Sequence, residues 1–241
     1  MKNNFGFGKL LTMGAASPKL VKSDKAGKGF LSAIMYLAPH KLSGKNVCKW
    51  ASDGCVAACL NTAGRGRMIN TQRARTNRTK LFFNDRKSFL IMLVGEVDKF
   101  ERKAKKLGKR AAVRLNGTSD LAFEKLFPVL INSYPNVQFY DYTKGVRRML
   151  QNINGEHPAN YHLTFSRSES NDKACQTVLD AGGNVAVVFA TKDLPKVYMG
   201  HPVHDADADD LRFLDKSGVQ GLYAKGLAKK DTSGFVVQVE N

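Results

Sequence analysis

The sequence has no uninterrupted apolar segment close to the roughly 20 residues that a membrane-spanning helix needs. Its first twenty residues mix lysines with glycines and short apolar groups, and no apolar stretch there precedes a small-residue cleavage site. This pattern is not that of a secretion signal. The sequence therefore predicts a cytoplasmic protein without a membrane partner.

Acidic residues are scarce. The chain has 21 of them against 38 lysines and arginines, which gives a formal net charge of +17. Such a charge attracts phosphate backbones and favours a nucleic acid or a phosphorylated substrate as partner. One stretch, 61–80, contains no acid at all and holds the residues predicted to contact nucleic acid: Arg65, Arg67, Arg73, Arg75, Arg78 and Lys80. A solvated basic helix is the alternative interpretation of this stretch.

Cysteines are also few, four in all, which excludes a disulfide framework for a cytoplasmic chain. Cys48, Cys55 and Cys59 nevertheless fall close together in a C-x6-C-x3-C pattern, while Cys175 stands alone. Three thiolates can hold an iron–sulfur cluster of the 4Fe–4S type and leave one iron open. Zinc is the alternative metal, with a fourth ligand from His40, His201, His204 or Cys175. The third interpretation is that the cysteines are small buried hydrophobic residues.

Apolar runs of strand length alternate with helical patterns along most of the chain. The runs that we interpret as strands are 30–38, 111–115, 137–140, 161–165, 185–190 and 221–224. A helical stretch over 70–107, broken near Asn84 and Asp85, and a helix over 123–133 are the clearest helices between them. Strands that alternate with helices predict βαβ units and a parallel sheet.

The number of βα units and the polar residues after each strand predict the fold class. Five or six units favour a partial (β/α) barrel with mostly parallel strands, and an open-sheet α/β fold is the alternative. In either fold the site lies at the carboxyl ends of the strands. We expect residues 30–241 to form a single α/β domain, preceded by a basic, glycine-rich, irregular arm over residues 1–29.

Three stretches resemble bacteriophage proteins of the gene-product-88 family: the cysteine loop with CVAACLN at 55–61, VRLNGTSD at 113–120, and VQFYDYTK at 137–144. The resemblance extends over about 31–235 and implies a phage origin, and therefore the host cytoplasm. The family layout is similar to that of radical SAM enzymes, with a cysteine loop after the first strand and a polar turn after the second. The C-x6-C-x3-C spacing and Ala58, where an aromatic residue is usual, depart from that pattern.

The similarity to radical SAM enzymes implies S-adenosylmethionine as a second cofactor. Its amino-acid end would then be held by the turn Asn116, Gly117, Thr118, Ser119 and Asp120. The plainer interpretation of this turn is a β-to-α connection in which Ser119 or Asp120 caps the next helix.

Three charged residues at the predicted carboxyl ends of strands are candidates for catalytic roles: Asp120, Lys144 and Arg167. An arginine in such a place can clamp a carboxylate or phosphate, and an ordinary ion pair is the alternative for Arg167. A separate histidine- and aspartate-rich run, 201–209, offers imidazole and carboxylate ligands for a divalent metal.

The leading hypothesis is therefore an iron–sulfur enzyme of radical-SAM-like architecture that acts on a nucleic acid or nucleotide. The alternatives are a nucleic-acid-binding protein with a structural zinc site, without enzymatic activity, and a metal-dependent nuclease that uses His201, His204 and Asp205.

Overall fold

The computed structural model describes residues 5–14 and 18–239. Helices and strands alternate through most of this part of the chain. The strands are β1 (Leu11–Met13), β2 (Phe30–Met35), β3 (Arg110–Arg114), β4 (Gln138–Thr143), β5 (Tyr161–Ser166), β6 (Val185–Phe189), β7 (Val197–Tyr198), β8 (His201–Asp205) and β9 (Val219–Tyr223). The helices are α1 (Pro18–Lys25), α2 (Asp53–Ala57), α3 (Ile69–Asn84), α4 (Arg86–Lys106), α5 (Phe123–Leu126), α6 (Pro128–Asn132), α7 (Val146–Ile153) and α8 (Asp172–Asp180).

The strands form one nine-stranded sheet in the order β1-β2-β3-β4-β5-β6-β9-β8-β7. The seven strands from β2 to β8 in this order run parallel, whereas β1 and β7 pair antiparallel at the two edges. The predicted α/β class with mostly parallel strands is confirmed. The order has two ends, so the described strands form an open, mixed sheet rather than a closed barrel.

Helices α3 to α8 contribute to one core on a single face of this sheet. Their buried side chains pack against the strand positions that point to that side, such as Val113 and Phe139. A doubly wound open sheet carries helices on both faces, whereas here α3 to α8 lie on one face and only the shorter α1 contacts the segment on the other, through Ser23. The other face is covered by the segment 206–215, through contacts of Leu211 and Phe213 with Phe30 and Tyr140.

The segment 206–215 runs from β9 to α1, which packs beside β2 in the other half of the sheet. Ala206 donates its N–H to the carbonyl of Gly221 in β9 (2.8 Å). Further along, the Asp210 N–H donates to the Ser23 hydroxyl of α1 (2.9 Å), and Asp209 lies 2.8 Å from the Lys28 ammonium. The concave side of the sheet is therefore filled by the protein's own chain.

The N-terminal region differs from the prediction. Residues 1–4 and 15–17 lie outside the described residues, but the rest of the expected arm is ordered: β1 pairs with β2, and Leu10, Leu11 and Leu20 are buried. The prediction of an irregular arm is wrong for this described part. Glycine and lysine content masked a three-residue strand and a two-turn helix that are held by tertiary contacts.

Two of the predicted helical stretches are divided. The stretch 70–107 breaks as expected, since Asp85 ends α3 and accepts the Ser88 N–H at the start of α4 (3.0 Å). The predicted helix 123–133 is two short helices, because Pro128 begins α6 at its first turn, where no backbone donor is needed. The strands β7 and β8 were not predicted.

None of the helices in residues 5–14 and 18–239 is long and apolar enough to cross a bilayer.

Candidate functional site

Cys48 lies in the long connection between β2 and α3. Its sulfur accepts the His40 N–H (3.2 Å) and lies 3.8 Å from the Thr118 carbonyl oxygen, which belongs to the loop after β3. Burial raises the pKa of Cys48 to about 12, and the neighbouring Cys59 and Cys55 act in the same direction. The thiol is therefore protonated at neutral pH unless a metal replaces its proton.

Cys55 lies on α2, whose position is set from the loop after β5. The Ser52 hydroxyl caps this helix and accepts the Cys55 N–H (3.3 Å). Glu169 in turn accepts the Ser52 hydroxyl (2.8 Å) and the Gly54 N–H (2.9 Å). Partial burial works to raise the pKa of Glu169, but these hydrogen bonds outweigh it and leave the pKa lowered. A charged carboxylate therefore anchors the start of the cysteine-bearing helix.

Cys59 completes the group of thiols. Burial raises its pKa, as does Cys55, whereas the nearby positive charges of Arg75 and Lys144 lower it. Cys55 and Cys59 thus act on the pKa of Cys48, and the positive charges of Arg75 and Lys144 act on that of Cys59. Within residues 5–14 and 18–239, no three histidine, cysteine, aspartate or glutamate side chains are arranged so that they could hold one metal ion.

The three thiols are therefore chemically suitable ligands for a metal centre, but within the described residues the structure does not arrange them as a formed metal site. Three soft sulfur donors with adjacent cations suit an iron–sulfur cluster or zinc. For one tetrahedral ion they would have to come closer together. Cys175 is buried in α8 among core side chains and is not one of the three.

The loop after β3 is held by hydrogen bonds within the protein. Asn116 donates its backbone N–H (2.6 Å) and its side-chain amide (2.9 Å) to the buried Asp141. The Thr118 hydroxyl donates to the Leu37 carbonyl (2.6 Å), and the Ser119 hydroxyl donates to the Asn116 side chain (2.7 Å). These contacts fix the turn against β2 and β4. Cofactor binding by this loop stays a prediction.

The capping role considered for Ser119 or Asp120 is wrong. The residue before α5 is Ala122, and the helix has no side-chain cap. Asp120 instead accepts the Lys144 N–H (2.8 Å) and pairs with Arg148 (2.9 Å). Burial raises the pKa of Asp120 although Arg148 and Lys144 oppose it. Asp120 therefore connects the ends of β3 and β4.

Gly117 is where this loop approaches the end of β2 most closely. A methyl group added there would lie 2.6 Å from the Met35 carbonyl oxygen and from the Tyr36 ring. We expect Gly117→Ala to lower the free energy of unfolding by about 2 kcal/mol, because backbone and ring must move apart. Chemical denaturation of the wild type and the variant measures this change in the free energy of unfolding. Gly95→Ala is the control: nothing lies within 4 Å, so α4 should gain roughly 0.5–1 kcal/mol. Equal effects would contradict the close approach.

Lys144 and Arg167 differ in how far their side chains are engaged. The Lys144 ammonium donates to the Ser166 hydroxyl (2.8 Å) and lies near Cys59. Arg167 pairs with Asp172 (2.9 Å) and donates to the carbonyl oxygens of Gly234 and Phe235. The ion-pair alternative is therefore what the structure shows for Arg167, while Lys144 remains beside the thiols.

A buried network on the helix side of β4 was not anticipated. Arg148 of α7 forms a two-point ion pair with Glu124 (2.9 and 2.8 Å) and donates to the Tyr161 hydroxyl (2.6 Å), which donates to Asp141 (2.8 Å). Burial raises the pKa of Asp141 to about 6. Arg148 is thus bonded directly to the carboxylates of Glu124 and Asp120, and through the Tyr161 hydroxyl to that of Asp141. The sequence gives no signal for it, because these residues belong to four different elements.

The concave face carries a second buried polar cluster. Arg114 lies 3.3 Å from Asp210, and its guanidinium carbon lies 4.4 Å from the centre of the Tyr142 ring. Tyr140 donates its hydroxyl to Asp210 (3.3 Å). Tyr140 and Tyr142 therefore lie on the face of β4 towards the segment 206–215, and Asp141 lies on the face towards the helices.

His162 of β5 lies on this concave face, and burial together with the charge of Arg212 lowers its pKa to about 4. Between about pH 6.5 and that value the unfolded chain binds a proton that the folded protein does not. Acidification through this range should therefore remove up to roughly 3 kcal/mol of stability through His162. We expect His162→Gln to make denaturation midpoints less sensitive to acid than those of the wild type. Equal acid sensitivity of the two proteins would contradict this account.

The basic run divides into two groups. Arg75 is buried, stacks on the Tyr36 ring (4.8 Å) and donates to Asn61, while Arg78 donates to the carbonyl oxygens of Lys9 and Tyr36. These two arginines therefore join α3 to the N-terminal segment and to the end of β2, and their side chains are engaged within the protein. The exposed members are Arg65, Arg67, Arg73 and Lys80.

The run 201–209 does not form a metal site in the described part of the chain. His201 and His204 are three positions apart in β8, so their side chains leave opposite faces of the strand. The Nε2 atom of His204 lies 3.0 Å from the Ser217 carbonyl oxygen, and that of His201 lies 3.8 Å from Asp180. Asp205 accepts the Asp207 N–H (2.8 Å). The structure gives no support to a nuclease centre here.

The fold and the site together define an α/β protein with a cysteine-bearing loop at the carboxyl end of a parallel sheet. The chain belongs to the gene product 88 family, whose model matches residues 9–239, nearly the whole chain. This confirms the family expected from the three motifs. Searches of curated proteins and of solved structures found no match. The similarity in layout to radical SAM enzymes stays a prediction.

Proposed function

We propose that Cys48, Cys55 and Cys59 hold an iron–sulfur cluster of the 4Fe–4S type, and that the protein acts on a nucleic acid or nucleotide recruited by the basic surface beside it. The observation that carries the proposal is the position of the cysteine loop at the carboxyl ends of the parallel strands, where Cys48 contacts the loop after β3 and the helix of Cys55 is anchored from the loop after β5. The positive charges of Arg75 and Lys144 favour the thiolate form of Cys59 there. A cluster bound by three thiolates has excess negative charge, which adjacent cations stabilise.

The position of the thiols in the fold supports a reactive rather than a purely structural centre. The loops after β2, β3 and β5 contribute to the surroundings of the cysteines through the Cys48–Thr118 and Ser52–Glu169 contacts, and Lys144, after β4, acts on Cys59 through its charge. In parallel α/β folds this edge of the sheet is where ligands bind. When bound, a cluster of this kind supplies one-electron chemistry at an iron that has no protein ligand.

The chain's own residues would position and shield such a centre. The His40 N–H holds the sulfur of Cys48, and Glu169 anchors the helix that carries Cys55. The Trp50 ring packs on Gly145, where a Cβ atom would lie 3.1 Å from it, and so covers the loop between the first two cysteines. Because the side chains of Asn116, Thr118, Ser119 and Asp120 already have partners, we do not extend the proposal to S-adenosylmethionine.

Purification and reconstitution with iron and sulfide under anaerobic conditions test the proposal. We expect a brown protein with a broad visible absorption band and about four irons per chain, as a cluster of this type requires. A colourless protein that contains zinc instead would contradict the cluster. It would favour the alternative, a nucleic-acid-binding protein with a structural zinc site.

A further inference from the structure

A groove of about 460 Å³ lies on the surface between the cysteine loop and α3. Its walls combine aliphatic, polar and cationic side chains: Leu42, Asn61, Ile69, Gln72, Arg73 and Thr76. The groove is next to the candidate site but separate from it. None of its side chains belongs to the group of thiols.

Three apolar side chains at or beside this groove are largely exposed. Ile69 is 75% exposed, Leu42 58% and the adjacent Met68 57%. Apolar side chains gathered at one place on a surface mark a binding site more often than scattered ones do. Arg73 lines the groove from α3, and the exposed Arg67 precedes the start of that helix by two residues.

The floor of the groove is connected to Arg75 by hydrogen bonds. The Asn61 side-chain amide donates to Gln72 (3.0 Å), and Gln72 donates to the Gly66 carbonyl oxygen (2.5 Å). The same Asn61 accepts from Arg75, which faces Cys59. A molecule in the groove would therefore lie one arginine away from the cysteines.

We propose that this groove binds single-stranded nucleic acid, with unpaired bases on Leu42, Met68 and Ile69 and phosphates on Arg67 and Arg73. The inference rests on the proposed function and names the form of nucleic acid that it takes. Charge selects a polyanion, since the chain carries +17. The apolar walls select the single strand, because a duplex hides its base faces in the stack while a single strand offers them to a protein surface.

Fluorescence anisotropy with labelled oligonucleotides tests this inference. One probe is single-stranded and the other is the same sequence as a duplex, and each is titrated at several salt concentrations. We expect the single strand to bind at least about tenfold more tightly than the duplex at equal salt. Ile69→Ser should weaken single-strand binding by about fivefold through lost apolar contact, with the salt dependence unchanged.

Two further variants separate the contributions. Arg67→Ala should reduce the slope of log affinity against log salt by about one, as expected for a lost phosphate contact. Ile91→Ser is the matched control, because Ile91 is 63% exposed on α4 and does not line the groove. It should bind like the wild type.

The outcomes distinguish this inference from the proposed function. Equal or tighter binding of the duplex, or wild-type affinity in Ile69→Ser, overturns the single-strand inference and leaves the cluster untouched. Self-association of the chain that Ile69→Ser abolishes, without oligonucleotide binding, assigns the groove to a second copy and also overturns it. Iron content is measured on the same preparations, so a protein without iron that shows the expected binding pattern refutes only the cluster.

Discussion

Replacing Arg148 with methionine is expected to lower the free energy of unfolding by roughly 3–5 kcal/mol, the range found when one partner of a buried ion pair is removed. Arg148 is 4% exposed and bonds to Glu124, Asp120 and Tyr161. Without it, the buried Glu124 carboxylate loses its only two-point partner. Methionine keeps the length and most of the apolar contact, so the loss reports the charge rather than a cavity.

Urea denaturation at neutral pH measures this effect. Arg147→Met is the control, because Arg147 is the preceding residue in α7 but lies exposed, and surface substitutions usually change stability by less than about 0.5 kcal/mol. Similar midpoints for the two variants would mean that the network of Arg148 contributes little to stability. Since Asp120 also contacts Lys144 next to Cys59, the Arg148→Met protein should also be assayed for iron.

Single serine substitutions at Cys48, Cys55 and Cys59 are expected to remove most of the iron from the anaerobically reconstituted protein. Each thiolate would bind one iron, and a hydroxyl is a far weaker ligand for iron in such a cluster. Iron and sulfide analysis together with the visible absorption spectrum measures the loss. The three variants should behave alike, because the proposal assigns the same role to all three.

Cys175→Ser is the matched control for these variants. Cys175 is fully buried, and its sulfur lies 3.4 Å from the Asn171 side chain in the core of α8. Its replacement should reduce stability while the iron content per folded chain stays at the wild-type level. Circular dichroism on all four variants separates unfolding from ligand loss. If Cys175→Ser loses iron as completely as the others, the assignment of ligands to the loop is wrong.

The central sheet could be predicted from the sequence because its strands are buried on both faces. The run Val185–Phe189 is continuously apolar, and the strands β3, β4 and β5 are each followed by a polar turn and a helix. The strand β8, HPVHD, could not be found in this way. It contains a proline and two histidines, and it is a strand because β7 and β9 pair with it on its two sides.

The candidate site could be predicted only in part. The clustering of three cysteines in the sequence is a local signal, but within the described residues the structure does not arrange them as one metal site. The roles of the arginines were not predictable, because the direction of a side chain on α3 depends on what packs against that helix. Arg75 turns inward to Tyr36 and Asn61, while Arg73, two positions earlier, lies exposed. The link between Asp141 and Arg148 was not predictable either, because Tyr161 connects them only after β4, β5 and α7 have packed.

The placement of β9 between β6 and β8 has a consequence for the order of folding. The hairpin of β7 and β8 is synthesised first but finds its sheet neighbour only when residues 219–223 insert beside β6. During synthesis the edge of β6 stays unpaired while nearly thirty further residues emerge, and pairing across such distances is slow. That growing chain exposes an open strand edge for seconds, the period in which a chaperone would be most useful to it.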